Sequence, residues 1–295
     1  MFKVTSRWSH QNSIKVEWNL GKRCNYDCSY CPAVIHDNTS PHTDIEIIKR
    51  SINKLLDIGR PIRLSFTGGE PTVHPNFEEI IKHAKDNKVE WVSVTTNGTR
   101  PYSWYLQQKA DQFVFSLHFE YDWRRVLKTI VEVSKFRTTV VHVMAHQDLM
   151  KDVREAVDIL QQHGVHHIIR RVRWTEGDHD LFDDMKYDQN DLDWIKGYEA
   201  KTQPNTVVDD EHKYHANEII KLHLNKFKDW TCNIGLESLM INWDGEVHRA
   251  TCRVGGSLGN IYNGTFDIPK EPITCTREFC TCAADIPITK FAPSL

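Results

Sequence analysis

The chain has 295 residues, 40% apolar and 26% charged, the mixture of a globular protein large enough for one domain and a smaller companion. Its 37 Lys and Arg stand against 40 Asp and Glu, a formal charge of −3, so nothing electrostatic favours nucleic acid or an anionic membrane surface. No run reaches the ~18 apolar residues of a membrane span, and the opening MFKVTSRWSHQNSIKVEWNL lacks the apolar core of a secretory signal, so a cytoplasmic protein is expected.

The first β-rich run is SIKVEWNL (13–20), and directly behind it KRCNYDCSYCPA (22–33) crowds Cys24, Cys28 and Cys31 into eight positions. A helix is expected in 43–59, where Ile45, Ile48, Ile52 and Leu55 recur at helical spacing. Thr43 and Glu46 read as its capping box and Gly59 as its stop. IRLSF (62–66) is the second strand and leads into FTGGEP (66–71). NFEEIIKHA then opens a helix in the same manner, with Asn76 and Glu79 in the capping positions. EWVSVTT (90–96) ends in TTNG (95–98), and QFVFSLHF (112–119) carries FSLH (115–118). TTVVHVMA (138–145) and HHIIRRVRW (166–174) complete six strands, with helices expected near 100–110, 121–136 and 152–164.

Six strand-then-helix units imply a parallel sheet with helices outside it, either an open doubly wound sheet or a partial barrel. In both, chemistry gathers at the C-terminal ends of the strands, where the cysteine triplet sits. Beyond 174 the stretch TEGDHDLFDDMKYDQNDLD holds eight acids and one lysine, a solvated linker or a lid over a basic or polar substrate. Residues 194–231 read as mixed helix. The expected organisation is a core over 1–200, a linker with helical character over 201–231, and a cysteine-rich unit over 232–295.

Eight cysteines fall in two groups, the triplet and Cys232, Cys252, Cys275, Cys280 and Cys282. Cytosolic thiols stay reduced, so such clusters point to metal rather than disulfides. The triplet admits two readings. With His36 it makes a three-cysteine, one-histidine zinc site; alone it grips three corners of an iron–sulfur cube and leaves one iron open.

CNYDCSYC, with Tyr30 before its last cysteine, resembles the cluster loop of the radical S-adenosylmethionine (SAM) enzymes. In that family the open iron chelates SAM, and an electron from the cluster splits it into methionine and a 5′-deoxyadenosyl radical that abstracts a substrate hydrogen. FTGGEP resembles the family's GGEP element, which implies that Gly68, Gly69 and Glu70 approach the methionine amino group. TTNG and FSLH lie at the next two strand ends, implying cofactor contacts from Thr96, Asn97, Ser116 and His118. For the SAM carboxylate the candidates are Ser116, His118, Arg170, Arg171 and Arg173, although the arginines of RRVRW also suit salt bridges. The resemblance implies a partial (β/α)6 TIM-type barrel rather than a flat sheet.

The stretch CNIGLESLMINWDGEVHRATC (232–252) resembles the SPASM and twitch extensions that bind auxiliary clusters. Leu239, Ile241 and Trp243 are expected in one strand, Asp244-Gly245 in a hairpin turn, and a second strand leading to Cys252. Six residues separate Gly245 from Cys252, where the usual pattern has four. Five thiols allow one auxiliary [4Fe–4S] cluster with one cysteine spare, and a four-cysteine zinc site is the alternative. The short lead before the first strand argues against an N-terminal peptide-binding domain. No cobalamin-binding domain is expected, and the tail lacks the Gly-Gly ending of the molybdopterin-precursor GTP cyclases. The resemblance implies an enzyme that abstracts hydrogen from a small molecule or peptide, for oxidation or rearrangement, served by a reductant such as flavodoxin or ferredoxin. Peptide crosslinking or epimerisation is the nearest alternative, and a non-catalytic electron-transfer protein the different-class one.

Overall fold

A computed structural model describes residues 2–7, 12–32, 35–172, 187–199, 201 and 204–293. All six expected strands form: β2 (Ile14–Asn19), β3 (Ile62–Thr67), β4 (Trp91–Thr96), β5 (Gln112–Leu117), β6 (Thr138–Ala145) and β7 (His167–Arg171). Each pairs in parallel with the next, and the helices α1 (Ile45–Leu56), α2 (Phe77–Asp86), α3 (Tyr102–Gln107), α4 (Trp123–Ser134) and α5 (Met150–Gln162) connect them. A further helix, α6 (Gln189–Glu199), follows β7. The strand order is not cyclic, because β7 is an edge and β2 continues to other partners, so the architecture is a partial (β/α)6 barrel.

Alternation along the strands separates two faces. Val16, Trp18, Leu64, Phe66, Phe113 and Phe115 are fully buried and pack in one cluster with Ile48, Ile52 and Leu55 of α1. The alternate residues, among them Glu17, Thr67, Ser116, His142 and Arg170, are only partly buried and line the inside. An inner wall of that kind is a poor core and a suitable container for a polar guest.

Two local expectations need correction. Asp44, not Thr43, caps α1, its carboxylate accepting from the N–H groups of Glu46 and Ile47. The side chain of Asn76 makes no capping bond to α2; His74 Nδ1 instead accepts from the Asn76 N–H at 3.1 Å. Thr43 and Asp44 are adjacent residues of similar capping propensity, and the fold uses the second.

The termini depart further from expectation. An early strand, β1 (Lys3–Ser6), lies in a second, six-stranded sheet with β8 (Thr206–Val208), β9 (His212–Tyr214), β10 (Thr231–Cys232), β14 (Ile273–Thr274) and β15 (Lys290–Phe291). The stretch 201–231 therefore contributes two strands as well as helix α7 (Ala216–Lys221). The expected hairpin is present as β11 (Ser238–Ile241) and β12 (Glu246–His248), with Gly245 at φ +85° in its turn. Trp243 falls outside the strand and is 44% exposed. Through β11, which pairs in parallel with β2, and β13 (Ser257–Asn260), this unit extends the barrel sheet to nine strands. Most of the acidic stretch after 174, and Arg173, lie outside the described residues.

Candidate active site

The loop after β2 carries Cys24, Cys28 and Cys31, and the ends of the next three strands clamp it. Behind β3, Gly69 N–H donates to Gly21 O and Glu70 N–H to Arg23 O, both at 2.9 Å. A Cβ on Gly68 would meet Gly21 O at 2.5 Å, and one on Gly69 would meet Lys22 O at 2.3 Å. The close approach that these glycines permit is thus to the cysteine loop's own backbone. Behind β4, Asn97 Nδ2 donates to Asn25 Oδ1 at 2.7 Å. Behind β5, Glu120 accepts from both the N–H and the hydroxyl of Ser29, and Tyr121 stacks on Tyr26 at 3.7 Å between centroids.

Glu70 is 2% exposed. Its Oε1 accepts from Thr72 N–H at 3.0 Å, the Thr72 hydroxyl at 2.6 Å and the Thr96 hydroxyl at 2.8 Å. Its Oε2 accepts from Asn97 N–H at 2.6 Å. Burial raises its pKa, and all these donors work the other way. Glu70, Thr96 and Asn97, which the sequence places at separate strand ends, form one strut joining the ends of β3 and β4.

His118 extends the inner face of β5, where its Nδ1 lies 2.5 Å from the Tyr30 hydroxyl and 3.5 Å from Cys28 Sγ. Burial lowers the His118 pKa to about 4, against the pull of Glu120, so the ring is neutral. Ser116 lies two residues earlier, directly across the ladder from His142. Arg170 points inward, its guanidinium 3.4 Å from His142 Nε2, whereas Arg171 pairs with Glu199 at 3.6 Å. Arginine only donates, so His142 Nε2 is an acceptor and the ring's proton sits on Nδ1.

The three thiols suit a cationic iron cluster. Burial pushes Cys28 up to about 12, with Glu120, Cys31 and Cys24 adding to it. Burial likewise raises Cys31 to about 11, followed by Cys24, and Cys24 rises for the same first reason. Such a donor set ionises only against a positive charge bound among the sulfurs. The rival zinc arrangement needs a free nitrogen on His36. Its Nδ1 already donates to Pro32 O at 3.3 Å, and its Nε2 lies 3.1 Å from Asp27 Oδ1.

In the tail, Cys232, Cys275 and Cys280 are buried and Cys252 and Cys282 partly so. Cys232, Cys252 and Cys275 lie within electrostatic reach of one another, and Cys280 within reach of Cys232 and Cys252. After burial, the charges that weigh most on Cys282 are Asp285 and Glu17. Cys282 is bound to the Asp285 segment, its carbonyl accepting from Asp285 N–H at 2.9 Å. Asp285, buried among the thiols, accepts from Cys252 N–H at 2.9 Å. Among the described residues, no three His, Cys, Asp or Glu side chains close around one point where a single metal ion would sit.

Sequence reasoning missed Tyr26, Glu120, Tyr121, Asp285 and His142. Tyr26 lies inside the cysteine spacing and Glu120-Tyr121 just past FSLH, which were the available signals. His142 and Asp285 gave none, because their place depends on contacts across strands and from the tail.

The family model of the Radical SAM superfamily matches residues 18–130. Fe-coproporphyrin III synthase of Methanosarcina barkeri is 35% identical over 94 residues, 32% of this chain and 23% of that protein. The S-adenosylmethionine-dependent nucleotide dehydratase of Selenomonas ruminantium is 33% identical over 89 residues, 30% of this chain and 31% of that protein. The chain thus spans less than a third of the length of either of these curated relatives. Among solved structures, anSMEcpe with bound AdoMet superposes with a TM-score of 0.57 at 16% identity, covering 86% of this chain and 79% of that one. Streptococcus suis SuiB bound to its precursor peptide SuiA gives 0.59 at 12% identity, covering 86% and 63%. At such identities these two speak for the fold.

Proposed function

We propose that this chain, a member of the radical SAM superfamily, binds a [4Fe–4S] cluster through Cys24, Cys28 and Cys31 and SAM at the iron they leave open, and removes a hydrogen atom from a substrate held inside the barrel. The observation that carries the reading is the convergence of three successive strand ends on one loop of three thiols. When bound, the cluster and SAM together supply the 5′-deoxyadenosyl radical. The rest is positioning by the protein.

The strut of Glu70, Thr96 and Asn97 holds the cysteine loop against the strand ends. Tyr30 and neutral His118 fix the side of the loop at Cys28. Gly68 and Gly69 let the loop pack close. Ser116, His142 and Arg170 form a polar wall at the substrate's level, which supports a polar guest, small molecule or peptide residue. Cys232, Cys252, Cys275 and Cys280 would hold one auxiliary [4Fe–4S] cluster, with Cys282 spare. That cluster would take an electron from the substrate radical, giving net oxidation, or help anchor the substrate. The working division is a catalytic core over 1–200, a connecting segment over 201–231 and an auxiliary unit over 232–295. A low-potential carrier such as flavodoxin or ferredoxin would supply electrons. Among the described residues no helix is long and apolar enough to cross a membrane.

The test is anaerobic reconstitution followed by dithionite and SAM. Methionine and 5′-deoxyadenosine are the expected products, with about eight irons per chain. An iron-loaded protein that leaves SAM intact would refute the catalytic reading. Zinc in the tail, with iron at the first site alone, would refute the auxiliary cluster. Deuterium passing from substrate into 5′-deoxyadenosine identifies the attacked carbon.

A further inference from the structure

The segment PITKF (287–291) carries one lysine, Lys290. Lysine is almost never fully buried unless paired, yet Lys290 is only 2% exposed. Its Nζ donates to three backbone carbonyls, Asp285 O at 2.6 Å, Ile286 O at 3.0 Å and Ile288 O at 2.9 Å. Three acceptors need three N–H groups, so the side chain is an ammonium and not a neutral amine. The ring of Phe227 lies 5.3 Å from the same nitrogen. Carbonyl dipoles and an aromatic face solvate the charge without cancelling it. A buried cation held this way is costly unless an anion lies close by.

The anions available are those of the second cysteine site. In the β10–β15 ladder Lys290 is the direct partner of Cys232. Directly opposed residues of an antiparallel pair project to the same face, so the side chains of Lys290 and Cys232 share it. The segment whose carbonyls hold the ammonium also carries Asp285, whose carboxylate accepts from Cys252 N–H. Lys290 is thus built into the wall of the site by its own hydrogen bonds, and its charge faces both the buried Asp285 carboxylate and the thiols.

We infer that Lys290 is a fixed internal counter-charge of the auxiliary site, stabilising the reduced state of the cluster held there and setting its potential. The inference rests on reading that site as an iron–sulfur centre. Four thiolates make such a centre anionic, and reduction adds one more negative charge, so a buried cation within the same wall favours the reduced form.

The experiment compares wild type, Lys290→Gln and Lys290→Arg by redox titration with electron paramagnetic resonance, after anaerobic reconstitution and iron counting. Glutamine keeps hydrogen-bond donors and removes the charge; arginine keeps both. Lys290→Gln should shift the auxiliary cluster at least about tenfold against reduction, about 59 mV for one electron. The first-site cluster serves as internal reference and should stay in place, as should the auxiliary cluster of Lys290→Arg. An auxiliary potential in Lys290→Gln within about threefold of wild type, or equal shifts in both variants, would overturn the inference in favour of a purely structural lysine. Loss of the auxiliary cluster from Lys290→Gln alone would support it, and loss from both variants would overturn it. Wild-type protein with only the first cluster would show a different failure, that of the auxiliary reading itself, and the inference would fall with it.

Discussion

Replacing Glu70 by glutamine separates a strut from a ligand. The carboxylate collects two backbone N–H groups, Thr72 and Asn97, and two hydroxyls, Thr72 and Thr96. The two N–H groups are on different oxygens, so whichever way a glutamine amide is turned, its NH2 faces one of them. A buried donor left without an acceptor costs roughly 1–3 kcal/mol. The remaining bonds drop from charge-assisted to neutral, at roughly 1 kcal/mol each for two or three of them. The sum is about 3–6 kcal/mol, a large part of the 5–15 kcal/mol that usually holds a domain together. Urea unfolding of Glu70→Gln against wild type at pH 7.5, followed by far-ultraviolet circular dichroism, reads this directly, and SAM affinity measured in parallel should weaken too. A variant within about 1 kcal/mol of wild type that no longer binds SAM would refute the reasoning. It would show that the carboxylate contacts the cofactor itself.

Other outcomes follow from the same geometry. Gly69→Ala places a Cβ 2.3 Å from Lys22 O and 2.4 Å from Arg23 O, both backbone, so iron retained at the first site should fall and stability drop by about 1–3 kcal/mol. Iron analysis and denaturation check it. Cys28→Ala should abolish SAM cleavage, whereas Cys252→Ala should keep cleavage but lose substrate product; chromatography of 5′-deoxyadenosine and product distinguishes them. Burial, then Arg170 and His166, lowers the His142 pKa from 6.5 to about 3. Between those values the unfolded chain binds a proton that the fold refuses, so this stability is complete above pH 6.5 and lost as pH falls. From pH 6.5 to 5 wild type should lose about 2 kcal/mol more than His142→Gln, measured by urea midpoints at each pH.

Much of the barrel was legible because its signals are local. Apolar alternation in 62–66 or 112–119, and the 3.6-residue recurrence of Ile45, Ile48, Ile52 and Leu55, need only the neighbouring residues to be read. The Cys24, Cys28 and Cys31 spacing likewise carries its chemistry within eight positions. The role of Glu70 was not legible in this way. GGEP shows glycines and an acid, but that both carboxylate oxygens are taken by Thr72, Thr96 and Asn97 depends on how β3 and β4 align.

From the sequence alone came the parallel strand–helix repeat, the two groups of thiols, and a hairpin between Cys232 and Cys252. Each follows from backbone propensity, side-chain period and donor chemistry over short stretches. The tertiary structure alone decided that β11 joins β2 at the barrel's edge, that β1 and β15 share a second sheet, and that Lys290 is buried across from Cys232. Those facts join residues as many as 288 positions apart in the chain, as the pairing of Lys3 with Phe291 does. No local pattern encodes such pairings, because they are selected by which distant surfaces exclude water from each other once the chain has closed.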